Sequence, residues 1–268
     1  MKKLLFTALL ICFFSSSVFA ATIESVVDLP TRQSVMQRIL VLEPDHPQAA
    51  AILFAGKHGG LQIGENGALA WGTDNFLVRT SKQFAEKGIF TILIDAPSDR
   101  QSKFLSSYLT GFRQTPEHVV DVKSVIAWVR QKQPKLPVWL IGTSRGTQSA
   151  AFVATELAGK PEGPDGLVLT STILHDNNDR AVLDMPLERL TIPVLVVHHK
   201  SDGCVHCFYS MTKALMDKLV ASRKKYLMTF DGGINQGDPC GAFAHHGFNG
   251  LDNDVVNGIV DWILEQGR

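Results

Sequence analysis

The stretch Val138-Trp139-Leu140-Ile141-Gly142-Thr143-Ser144-Arg145-Gly146-Thr147 constrains this chain more than any other. An apolar run of strand length enters G-x-S-x-G and leaves into Gln148-Ser149-Ala150-Ala151-Phe152-Val153, a small-residue sequence of helical character. A strand that becomes a helix within so few residues presses the two backbones together. The positions two before and two after the serine must therefore be nearly free of side chain, a demand Gly142 and Gly146 meet. Such a turn lifts the Ser144 hydroxyl above the carboxyl end of a sheet and sets the next N–H, that of Arg145, at the positive start of a helix. The plainer reading is a glycine-bounded turn with a solvated serine. The flanking strand and helix are what favour a nucleophile elbow.

Around this stretch the chain alternates. Residues 23–29 and 34–42 read as an antiparallel edge hairpin. Short apolar runs then recur at 49–55, 89–94, 138–141, 167–170, 192–197 and 226–230, the pattern of strands buried on both faces. Helical spacing fills most of the gaps. Phe76, Leu77, Thr80 and Phe84 predict a helix over 76–87 stopped by Gly88. Thr115-Pro116 opens another, carrying Val119, Val122, Ile126 and Val129. Met211, Leu215 and Leu219 mark a further face, and Val255, Val256, Ile259 and Ile263 mark the last. Strands alternating with helices imply a mainly parallel sheet covered on both sides, with an antiparallel N-terminal edge.

A serine hydroxyl is a weak nucleophile until a histidine takes its proton, and that histidine needs a carboxylate to fix its tautomer. After Ser144 the run 192–197 leads into His198-His199-Lys200-Ser201-Asp202-Gly203, which puts Asp202 in a loop at a strand's carboxyl end. The final run feeds a long loop holding Gly241-Ala242-Phe243-Ala244-His245-His246-Gly247-Phe248. His246 is favoured as base because Gly247 permits a close turn, with His245 as the neighbouring alternative. Asp202 is favoured as acid over Asp231 because its strand precedes the one feeding the histidine loop. Gly56-Lys57-His58-Gly59-Gly60, after the run 49–55, resembles an H-G-G loop able to give a second oxyanion donor, from the N–H of His58 or of Gly59.

The chain begins Met1-Lys2-Lys3, continues apolar through Phe14, and carries Val18 and Ala20 at small-residue cleavage positions. This predicts a secretory signal peptide over residues 1–20 and a mature domain over 21–268. Ile11 before Cys12 spoils a lipobox, so no membrane anchor is expected. The sequence balances 26 basic against 26 acidic side chains, and loss of Lys2 and Lys3 leaves −2. With no basic run, nucleic acid is not an expected partner. Cleavage also leaves Cys204, Cys207 and Cys240, in a compartment where disulfides form. Cys204 lies two residues after the expected acid and Cys240 six before the expected base. The expected disulfide joins Cys204 to Cys240, with Cys207 as the competing partner.

Taken together, the elbow, the acid loop and the histidine loop resemble the α/β-hydrolase superfamily over essentially the whole mature chain. Asp95-Ala96-Pro97-Ser98-Asp99-Arg100, Gly142-Thr143-Ser144-Arg145-Gly146 and His246-Gly247-Phe248 look like a group of small exported hydrolases, loosely similar to dienelactone-hydrolase-like proteins. Dienelactone hydrolases use a cysteine nucleophile where Ser144 stands, so their substrate is not carried over. The resemblance implies a Ser144–His246–Asp202 triad acting without cofactor on a small acyl substrate. About 20 residues between the runs ending at 170 and starting at 192 leave little room for a large lid. Two other readings stand beside it. His198, His199, Asp202, Cys204, His206 and Cys207 crowd together with Cys240, His245 and His246 downstream, which would suit a metal or redox site, although the spacing matches no standard zinc pattern. A hydrolase-fold binding protein without activity is the other.

Overall fold

The computed structural model describes residues 22–101 and 108–267, and the predicted signal peptide lies outside them. In chain order the elements are β1 (Thr22–Arg32), β2 (Val35–Pro44), β3 (Ala49–Phe54), α1 (Phe76–Arg79), α2 (Ser81–Glu86), β4 (Ile89–Ile94), α3 (Pro116–Lys132), β5 (Val138–Thr143), α4 (Gly146–Glu156), β6 (Gly166–Thr170), β7 (Val194–His199), α5 (Thr212–Lys218), β8 (Lys225–Phe230) and α6 (Asp252–Glu265). They build one eight-stranded sheet in the order β1-β2-β4-β3-β5-β6-β7-β8. β1 and β2 pair antiparallel, β2 meets β4 antiparallel, and every pairing from β4 through β3 to β8 is parallel.

The apolar runs behave as fully buried strands, yet their side chains still alternate between two cores. Val138 and Leu140 of β5 enter the core that α3, α4 and α5 cover. Trp139 and Ile141 enter the opposite core, closed by α1, α2 and α6. Val255, Val256, Ile259, Val260, Trp262 and Ile263 bury one stripe of α6 there, each contributing about 1.5–3 kcal/mol of burial before ordering costs. Thr115 caps α3 as expected, its hydroxyl accepting from the His118 N–H at 3.3 Å with Pro116 in the first turn.

The single helix expected over 76–87 is instead two. Thr80 stays right-handed but is drawn off ideal helical angles (φ −98°, ψ −1°) while its hydroxyl donates to the Phe76 carbonyl at 2.6 Å, and the Ser81 hydroxyl donates to Val78 O at 2.8 Å. Hydroxyls that bond backward onto the backbone compete with the helical ladder. The apolar spacing survives the break, which is why periodicity alone missed it. Among the described residues no helix is long and apolar enough to cross a membrane.

Candidate active site

Ser144 sits at the end of β5 with φ +52°, in the left-handed region that a side chain enters only under constraint. The constraint is visible in the backbone. Ser144 N–H donates to Thr170 O at 3.0 Å, while Ser144 O accepts from the N–H and the hydroxyl of Thr147. A Cβ on Gly142 would lie 2.5 Å from Gly146 O, and one on Gly146 would lie 2.0 Å from Phe54 O. Strand β5, helix α4 and the end of β3 therefore meet at distances only glycine allows, the close approach that the G-x-S-x-G spacing implied.

The loops carrying Asp202 and His246 leave β7 and β8 on the far side of β5 and meet. His246 Nδ1 lies 3.0 Å from Asp202 Oδ2 and 3.3 Å from Oδ1, and both side chains are buried. Asp202 Oδ1 also accepts from Cys204 N–H at 2.9 Å, which fixes the carboxylate. The histidine loop is held by its backbone. Ser171 Oγ donates to His246 O at 2.6 Å, and Arg79 Nη2 donates to Gly247 O at 2.6 Å while its guanidinium pairs with Asp252. A Cβ on Gly247 would stand 2.1 Å from Ala242 O, so the residue after His246 must be bare.

His245 takes no part in this pair: its ring stacks on His199 at 4.1 Å, and its Nδ1 lies 3.3 Å from Ser201 O. Asp231 is exposed and faces Lys200 at 3.6 Å. Beneath the pair lies His198, fully buried, whose Nε2 accepts from Thr172 N–H at 2.8 Å and whose pKa burial pulls down to about 4.

Ser144 and His246 line one cavity of about 460 Å³, with Trp71, Phe76 and Phe243 as apolar walls and Lys57, Asp74 and Asp238 as charged ones. The wall beside Ser144 from the loop after β3 is Gly56 and Lys57. His58 and Gly59 stand behind it. The His58 ring packs against Trp71 at 3.8 Å and Tyr108 at 4.8 Å, and Gly59 lies against the Arg113 guanidinium.

Arg113, which the sequence pattern did not single out, holds this loop. It is buried, and its guanidinium donates to Ala55 O and Lys57 O at 3.1 Å each and to Ser149 Oγ of α4 at 2.9 Å. Burial, with Arg145 nearby, pulls its pKa down to about 9, so it stays charged at neutral pH. Asp95, at the end of β4, fixes the far side of the loop by accepting from the N–H groups of Leu61, Gln62 and Ile63. Arg145 itself swings its side chain away to Asp176 at 2.7 Å.

Cys204 and Cys240 are joined in a disulfide, and Cys207 is free and buried. Ligand-type atoms of Cys204, Cys207 and His246 lie within 4.8 Å of one another. The Cys204 sulfur is bound to Cys240, however, and Nδ1 of His246 is engaged by Asp202. The remaining histidines of the crowded segment disperse, His199 onto His245 and His206 onto the carbonyl of His175.

Strand order, elbow and loop placement define the α/β-hydrolase fold. No protein-family model and no curated protein matches the sequence. Solved structures match the fold along nearly its whole length. An esterase of Pyrococcus furiosus is similar with a TM-score of 0.65 at 12% identity, covering 91% of this chain and 91% of that one. A dienelactone hydrolase of Anabaena variabilis gives 0.62 at 14%, covering 91% and 98%. An α/β serine hydrolase of Xanthomonas campestris, described as having no lid, gives 0.56 at 15%, covering 91% and 94%.

Proposed function

We propose that this protein is an exported serine hydrolase that cleaves a small soluble ester or related acyl compound through an acyl-enzyme. The observation that carries this reading is the contact of Asp202 with His246, whose ring lines the same cavity as a conformationally constrained Ser144. His246 takes the Ser144 proton through its other ring nitrogen as the oxygen attacks the acyl carbon. Asp202 holds the imidazole in the required tautomer and stabilises the imidazolium that forms. Collapse of the intermediate expels the leaving group, which receives the proton from His246, and water repeats the sequence to release the acid.

The oxyanion of each tetrahedral intermediate is placed against the Arg145 N–H at the start of α4. Lys57 N–H is the second donor in this reading, in preference to those of His58 and Gly59, because Lys57 lines the cavity beside Ser144. A cavity of this size with both apolar and charged walls suits a compact acyl group bearing a polar portion. Export is supported by the leader pattern and by a disulfide.

The test is covalent. A fluorophosphonate probe is expected to label wild-type protein at Ser144, and Ser144→Ala is expected to lose both labelling and turnover across a panel of short acyl esters. An unlabelled Ser144 with no turnover on any ester would leave a binding protein as the better account.

A further inference from the structure

Asn75 occupies the N-cap of α1, where an asparagine side chain ordinarily accepts from the N–H groups of the first turn. Here it makes no such bond. Its backbone is fixed on both sides, N–H to Gly72 O at 2.8 Å and carbonyl to the N–H groups of Val78 and Arg79 at 3.0 and 2.9 Å. The side chain is therefore held at the cavity wall by main-chain bonds while its own amide stays unspent. Among the described residues Oδ1 is buried with no hydrogen-bond partner, a state that buried polar groups rarely keep without a reason.

The amide also lies next to the nucleophile. The point where a Cβ on Gly56 would sit is 3.1 Å from Ser144 Cβ and 3.3 Å from Asn75 Nδ2. All three residues line the cavity. A group bound to Ser144 Oγ on that side would come within reach of the Asn75 amide.

We propose that Asn75 is a side-chain donor to the oxyanion hole, joining the N–H groups of Arg145 and Lys57. The proposal rests on the Ser144 chemistry above. As Ser144 Oγ bonds to the acyl carbon and its proton passes to His246, the carbonyl π pair moves onto oxygen, and an Asn75 N–H donates to that alkoxide. When the carbonyl re-forms, the bond to the leaving group breaks, and that group leaves with the proton from His246. Asn75 exchanges no atom or electron in either step. It binds the charge only while the charge exists, so its effect falls on kcat.

A purely structural role for Asn75 as a helix cap makes a different forecast, because aspartate caps as well as asparagine but has no N–H to give. The experiment compares Asn75→Asp, Asn75→Ala and Ser144→Ala with wild type, reading kcat and KM on p-nitrophenyl acetate and inhibition by an aryl trifluoromethyl ketone, which forms an alkoxide on the serine. Both Asn75 variants are expected to lose about 100-fold in kcat with KM within threefold. Affinity for the ketone should fall by a similar factor, and thermal unfolding should stay near wild type because no resting bond is removed. Turnover within threefold of wild type in Asn75→Asp overturns the proposal, as does a loss that tracks lowered thermal stability in both variants. Retained turnover in Ser144→Ala would instead refute the nucleophile, a separate outcome.

Discussion

Replacing Arg113 by methionine removes three hydrogen bonds at once and leaves Ala55 O, Lys57 O and Ser149 Oγ without their donor. A buried acceptor stripped of its partner costs about 1–3 kcal/mol, and the hydroxyl of Ser149 can turn to recover part of its share. Against this, a buried cation whose described partners are all neutral oxygens carries a desolvation cost that methionine removes. The balance is a net loss of about 2–4 kcal/mol, or about 5–15 °C in Tm for a chain of this size. Turnover should fall further than stability accounts for, on the order of tenfold or more in kcat at a temperature where the variant is folded. The reason is that the lost bonds tie the loop carrying Lys57 to the helix that follows Ser144, and small displacements at such a site are costly. Arg113→Lys keeps the charge but not the fork, and should lie between the two. The assay is a thermal melt beside ester kinetics at 25 °C. An Arg113→Met protein melting within 2 °C of wild type with unchanged kcat would refute the idea that this guanidinium organises the loop.

Three further outcomes follow from the geometry. His246→Ala should be as damaging to turnover as Ser144→Ala, while His245→Ala should be much milder, since His245 only stacks on His199 beside the acid loop; the reverse ranking would move the base to His245. Burial holds His118 and His198 at pKa values of about 3 and about 4, against 6.5 in an unfolded chain. The unfolded state therefore binds protons the native state refuses, so the stability present above pH 6.5 is lost as pH falls toward 4. Between pH 6.5 and 5 each histidine removes about 2 kcal/mol; equal urea midpoints at pH 7 and pH 5 would count against it. Peptide mapping without reductant should link Cys204 to Cys240, whose separation of 36 residues makes the bridge worth about 4 kcal/mol on the chain-entropy account. A Cys204–Cys207 link would contradict this arrangement.

The sheet was legible because each strand is a short apolar run and each linking helix a stripe, and the antiparallel edge followed from alternation in residues 34–42. So was the elbow, since Gly142 and Gly146 record a backbone contact directly in the sequence. Gly247 did the same for the histidine loop. What escaped is what long-range geometry supplies. Nothing in the local pattern marks Arg113, or Arg79 inside the helix expected over 76–87, and only the fold carries them beneath the loop after β3 and against the carbonyl of Gly247. Asp95 opens one of the segments that carried the resemblance, but nothing local to it shows that it gathers three N–H groups from a segment more than 30 residues earlier. The H-G-G resemblance drew attention to the loop after β3, but the residues of it that line the cavity are Gly56 and Lys57 rather than His58 and Gly59. His58 is drawn aside by Trp71 and Tyr108, contacts that local spacing does not encode.

The two halves of the site differ in how they are anchored. Ser144 rides on β5 at the middle of the sheet, where Gly142, Gly146 and Phe54 interlock through main-chain atoms alone. Asp202 and His246 hang from β7 and β8 at the margin, on loops joined to each other by a single covalent bond and to the body by a few side chains. Heat or a reductant would thus act on the margin first. The molecule would pass through a state that is still folded and still holds Ser144 in its constrained turn, while Asp202 and His246 have come apart.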